Sequence, residues 1–180
     1  MRDEHEVLLS AYHEAVHAIF AHYDDTDVGN VCVSDEGGNC VIYRADLYER
    51  YLPLSYAQFC IAGACAAGVA EALQHPKPDQ ISLSWLIAGA ERTPEGDAWC
   101  ALKALKRVVK EGDVFDSVGE AYAFAMIKLA GLVEKRWDEI EALAFALYQR
   151  WVESEEGIGR VDGDEMPQII ERIQGENEHA

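Results

Sequence analysis

The stretch Tyr12–Phe20, YHEAVHAIF, constrains this chain more than any other. Leu8, Tyr12, Ala15, Val16, Ile19 and Phe20 recur at helical spacing, so a helix from Glu4 to about His22 must turn that stripe toward a core. His13 and His17 lie four residues apart on one flank of the stripe, hence on one side of the helix. Two imidazoles placed this way reach a single tetrahedral zinc ion at the border of core and cleft. Glu14, beside the first histidine, is placed to take a proton from a zinc-activated water and hand it to a leaving amine. The H-E-x-x-H pattern therefore carries the chemistry of zinc-dependent peptide hydrolysis, with Glu14 as general base.

Composition narrows the rest. With 180 residues, 49% of them hydrophobic, the chain can bury one core and is read as a single domain over 1–180. The net charge of -18 repels a phosphate backbone and an anionic membrane alike, which speaks against nucleic-acid and membrane partners. Five cysteines without a C-x-x-C pair suit neither a disulfide framework nor a thiolate zinc site, and point to a reducing, cytoplasmic setting. The acidic start MRDEHEVLLS lacks the basic and apolar regions of a signal peptide, and no run reaches the length of a membrane span.

After the first helix, Val28–Val33 and Asn39–Tyr43 flank the turn-forming SDEGG, which predicts a β-hairpin or small sheet. An alanine-rich buried helix is expected from about Ser55 to Leu73, stopped by HPKPDQ. SLSWLIAGAERTP reads as a poorly patterned connection. Glu95 to about Lys110 follows as a helix behind Pro94. Two long helices over roughly Asp116–Arg150, broken near Arg136, and a short helix over about Asp162–Ile173 complete the chain. Residues 1–112 thus form the half with the metal site, 113–174 a C-terminal helical half and 175–180 a polar tail.

A catalytic zinc takes three protein ligands and keeps a position for water. The metzincin extension H-x-x-G-x-x-H fails, because Phe20 and Tyr23 stand where its glycine and third histidine belong. Two carboxylates remain, Glu71 on the alanine-rich helix and Asp97 in the first turn of the helix after Pro94, and spacing does not choose between them.

Four segments resemble the peptidase domain of the FtsH family of membrane-anchored AAA proteases. AYHEAVHAIFAHYDD is similar to that family's AYHEAGHA helix, and VGNVCVSDEGGNCVIY takes the place of the short strands behind it. IAGACAAGVAEAL resembles the GGRAAEEL helix, and GAERTPEGDAWCALKAL the TGASNDLKRAT segment. The likeness covers about Leu8–Lys110; LAFALYQRW and VDGDEMPQII resemble the family's closing region only loosely. It implies that Asp97 is the third zinc ligand beside His13 and His17. A carboxylate at a helix N-terminus is also held as the anion that binds zinc.

The fold class expected is mainly α (α+β), a zincin-like helical peptidase domain with the small hairpin or sheet after the first helix. The activity expected is zinc-dependent hydrolysis of peptide bonds in small or unfolded protein substrates. Two other readings stay open: a regulatory metallopeptidase that cuts one partner protein, and a catalytically silent metal-binding interaction module. Val16 replaces the glycine of the family's histidine motif, and Ala64 and Gly68 stand near its missing Arg and Glu. No G-x-x-x-x-G-K-[ST] occurs, so peptide cleavage by this chain would be ATP-independent, and threading of folded proteins would fall to a separate ATPase partner. The family's ring assembly implies a homo-oligomer.

The remaining singular residues read more plainly. His5, His22, His75 and His179 are surface or terminal histidines, and Cys60, Cys65 and Cys100 small buried side chains, with Cys100 close enough to Asp97 to line a pocket. Trp85, Trp99, Trp137 and Trp151 are expected in the core or an interface. Val31–Val33 or Cys40–Ile42 is expected to be an edge strand that binds substrate backbone by β-addition.

Overall fold

The computed structural model describes residues 3–70, 82–112 and 114–177, with main chain alone for 66–70 and 174–177. It is mainly helical, with one small antiparallel sheet. Helix α1 (Glu4–Tyr23) begins where the Asp3 carboxylate accepts the His5 amide at 3.2 Å. It is buried nearly all round from Ala11 to Ala21, His13 being half-buried, and so is a central helix, not a surface one.

Strands β1 (Val28–Ser34) and β2 (Gly37–Ile42) form the expected hairpin. Helix α2 (Ala45–Tyr51) leads into α3 (Pro53–Ala70), the expected alanine-rich helix, which packs against α1. Gly63 stands against α1 at this contact, and Ala57, Ala62 and Cys65 are further small residues of α3 that are buried. Its expected continuation to Leu73, the HPKPDQ stop, Glu71, His75 and His179 lie outside the described residues.

Three helices of the N-terminal half differ from the sequence reading. SLSWLIAGAERTP contains helix α4 (Leu83–Arg92), started by the Ser82 hydroxyl, which accepts the Trp85 amide at 3.2 Å. Only Leu86 and Ala90 are buried on it, too short a stripe to stand out as a period. Helix α2 has a single buried residue, Tyr48, and begins behind a left-handed Arg44 (φ 57°). Helix α5 (Asp97–Glu111) starts two residues later than expected, because Glu95 takes left-handed backbone (φ 66°) and Gly96 is its N-cap.

Helices α6 (Val118–Lys135) and α7 (Trp137–Glu153) meet at Arg136, as the sequence suggests. The Arg136 guanidinium donates to Glu139 at 3.0 Å and sits 4.0 Å over the Tyr23 ring, which ties the break to α1. The C-terminal half is not wholly helical. Strand β3 (Ile158–Asp162) pairs antiparallel with β1, giving the order β2-β1-β3. Helix α8 (Met166–Asn177) starts later than expected and continues into residues assigned to the polar tail.

The added strand changes which part of the hairpin is an edge. Val31 pairs with Cys40 on one side and Val161 on the other, so Val31–Val33 is central and cannot accept another strand. Cys40–Ile42, in β2, is on the outside. Helix α1 packs against α3, α7 and both hairpin strands, so the motif helix is held on several sides at once. Among the described residues no helix is long and apolar enough to cross a membrane, and all five cysteines are free thiols.

Candidate metal centre

Three of the sequence's candidate residues converge. His13 Nε2 lies 3.1 Å from His17 Nε2 and 3.1 Å from Asp97 Oδ2, and His17 Nε2 lies 3.3 Å from the same oxygen. Donor atoms at zinc distances of about 2.0–2.1 Å in tetrahedral array stand about 3.3 Å apart. The triangle therefore has the edges that three ligands of one zinc ion need. Among the described residues it is also the one cluster of histidine, cysteine or carboxylate groups close enough to hold a metal.

The triangle depends on three helices. Helix α1 places the two histidines one turn apart, and α5 brings Asp97 to them from its first position, where the unpaired amides of a helix start favour an anion. Helix α3 sets the tautomer. His17 Nδ1 donates to the Phe59 carbonyl oxygen at 2.7 Å, so in the neutral ring Nε2 carries the lone pair a metal requires.

Gly63 of α3 completes the fit from the other side. A Cβ at that position would run into Nε2 of both His13 and His17. The two donor tips thus point at a place on α3 where no side chain stands. Neither this glycine nor Phe59 was singled out by the sequence reading; a glycine inside an otherwise helical run is the available sign.

The four polar groups differ in environment. The His17 side chain is 4% exposed, that of His13 28% and that of Asp97 48%, so the triangle opens at its Asp97 corner. Burial acts to raise the Asp97 carboxyl, but the His13 and His17 rings beside it, by hydrogen bonding and by charge when no metal occupies their Nε2 atoms and they are protonated, outweigh it and hold the group well below the usual carboxylate range. Glu14, 7% exposed, is pushed the other way. Its burial raises it from 4.5 to about 7, with the positive His13 side opposing and the Asp97 charge adding. Two carboxyls of one site are thereby separated, one a fixed anion and the other able to exchange a proton near neutrality.

Strand β2 is built against Glu14. A Cβ on Gly38 would stand 2.6 Å from Glu14 Oε1, so glycine is needed there for the strand and the carboxylate to share the space. Val16 is fully buried in the core, and so its side chain lies away from the donor atoms. Cys60, not Cys100, lines the cavity next to Asp97. Trp85 and Trp99 are 44% and 36% exposed, unlike Trp137 and Trp151, which pack against the core. His5 is exposed and His22 half-buried, and neither belongs to the cluster.

Compared with known proteins, the chain matches no family model and no curated protein sequence.

Proposed function

We propose that this protein is a zinc-dependent metallopeptidase of FtsH-like, zincin-like type, acting on small or unfolded peptides, with His13, His17 and Asp97 as metal ligands and Glu14 as general base. The observation that carries the reading is the 3.1, 3.1 and 3.3 Å triangle of donor atoms with a proton-exchanging carboxyl on the adjacent residue. A zinc ion held there supplies Lewis acidity, polarising a carbonyl group and acidifying water. Everything else is work for the chain. His17 is oriented by the Phe59 carbonyl, Asp97 provides the negative charge that offsets the metal, and Glu14 moves the proton from water to the leaving amine.

The outer strand β2 supports the same reading. It has no further strand partner among the described residues, and at Gly38 its backbone passes directly against Glu14. A substrate laid along that edge by β-addition would bring its peptide groups past the base. The position of Val16 favours an active enzyme over a silent module, because its bulk is absorbed by the core and not by the site.

The expected result is one zinc per chain by elemental analysis and hydrolysis of unstructured peptides that a chelator stops and zinc restores. His17→Ala should lose the metal, since it removes a buried ligand and the described residues offer no fourth group in the cluster to replace it. For Asp97→Asn the expected zinc affinity falls about 10–100-fold, because the amide oxygen lacks the charge that the two imidazoles face. Stoichiometric zinc in His17→Ala would overturn the ligand set. Stoichiometric zinc without any chelator-sensitive hydrolysis would overturn the activity and leave the metal site standing.

A further inference from the structure

Next to the donor triangle is a cavity of about 370 Å³, walled by α3, α4 and the start of α5. His13 and Asp97 line one side, so a molecule held at the centre extends into this space. Its floor is apolar, made by Ile61, Ala64, Leu86 and Ala98, with Ile61 and Leu86 each 1% exposed. The volume is at the small end of ligand pockets, room for one side chain and its peptide group, not a long segment.

One fixed cation stands on this wall. Arg92, in the last turn of α4, donates from Nε to the Ala88 carbonyl oxygen at 3.1 Å, which anchors the base of its guanidinium. That contact is what an arginine near a helix C-terminus ordinarily makes, and it uses one of five N–H donors. None of the ion pairs of Lys103, Arg107, Arg136, Arg150 and Arg160 involves it. Among the described residues the only carboxylate on the cavity wall, Asp97, is already engaged by the two histidines. Arg92 is exposed, so its remaining N–H donors face solvent at the cavity wall and are free to take a carboxylate from a ligand seated on the apolar floor.

We propose that Arg92 is a carboxylate anchor, so that the centre selects peptides placing an apolar side chain in the cavity with a carboxylate directly behind it. That carboxylate comes from a free chain end or from an acidic side chain; the chemistry read by Arg92 is the same. The overall acidic charge would turn such peptides away, so their selection is a local property of this wall and runs against the general field. The inference rests on the peptidase reading only in naming a peptide as ligand.

The test is a binding measurement on the full chain as purified, read from the indole resonance of Trp85, which lines the cavity. Three probes are titrated: N-acetyl-L-phenylalanine, its amide, and N-acetyl-Phe-Asp amide. Arg92→Gln should weaken one or both carboxylate probes at least about tenfold while leaving the neutral amide within about twofold. Whichever of the two acids responds identifies the chain end or the side chain as source. Lys106→Gln, at an exposed position of α5, should change none of the three and controls for net charge. Equal effects of Arg92→Gln on acid and amide, or no effect on either, overturn the proposal. Because no turnover is needed, the two readings fail separately: Arg92-dependent binding without hydrolysis removes the peptidase reading, and hydrolysis indifferent to Arg92→Gln removes the anchor.

Discussion

Glu14→Gln is expected to keep one zinc per chain, lose peptide hydrolysis by at least about a hundredfold, and become more stable than the parent above neutral pH. The first two effects separate the base from the ligands. Glu14 is not a corner of the triangle, so the amide leaves the donor set intact while removing, among the described residues, the only carboxyl beside it that can accept a proton. The third effect follows from burial. In the folded chain the Glu14 carboxyl holds its proton up to about pH 7, whereas 4.5 is its ordinary value. Between those values the unfolded chain ionises first, so the parent loses stability as pH rises, by about 3 kcal/mol once both states are ionised. Glutamine carries none of that cost. The metal-free variant should therefore gain nothing over the parent below about pH 4.5 and the full difference at pH 8, by chemical denaturation at the two pH values. A Glu14→Gln protein that hydrolyses peptide at the parental rate would remove Glu14 from the mechanism. A stability difference that does not change with pH would show that burial does not control its proton.

Gly63→Ala should reverse an ordinary rule. Replacing glycine by alanine inside a helix usually stabilises it by about 0.5–1 kcal/mol. Here the new methyl group would enter the space of both histidine Nε2 atoms. Overpacking costs about 1–3 kcal/mol, and relief requires either α3 to move off α1 or the imidazoles to turn away. Turning away also strains the His17 to Phe59 hydrogen bond that holds the ring. Zinc affinity should fall about 10–100-fold although no ligand has been removed. Calorimetric titration with zinc and a denaturation curve check both parts. A Gly63→Ala chain that is more stable and binds zinc as the parent does would mean the two helices do not constrain the donors.

How much of this was legible beforehand follows the range of the interactions concerned. Helix α1, the hairpin and the break at Arg136 are read from neighbours within a few residues, and the structure has them, while α5 starts two residues after the expected Glu95. Helix α4 and strand β3 were missed for a common reason. Each buries only two residues, Leu86 and Ala90 in one and Gly159 and Val161 in the other, so neither shows a period of its own. Their existence depends on partners already in place, α5 and β1. The mistaken edge at Val31–Val33 has the same origin, since a strand contributed from beyond residue 157 converts it to a centre.

By itself the sequence determined the helix that carries His13, Glu14 and His17, because four-residue spacing on a helix fixes two imidazoles on one side whatever surrounds them. It also placed Asp97 in the first turn of a helix, with the resemblance to a known family naming it above Glu71. Only the tertiary structure decided that these atoms meet. A donor triangle with edges of 3.1–3.3 Å needs α1, α3 and α5 packed to a fraction of an ångström, and that depends on small residues and a bare glycine at contacts far apart in the chain. The same packing sets the two carboxyls apart. Burial is a property of the assembled fold, so the sequence shows two acids where the structure has one fixed anion, Asp97, and one proton carrier, Glu14.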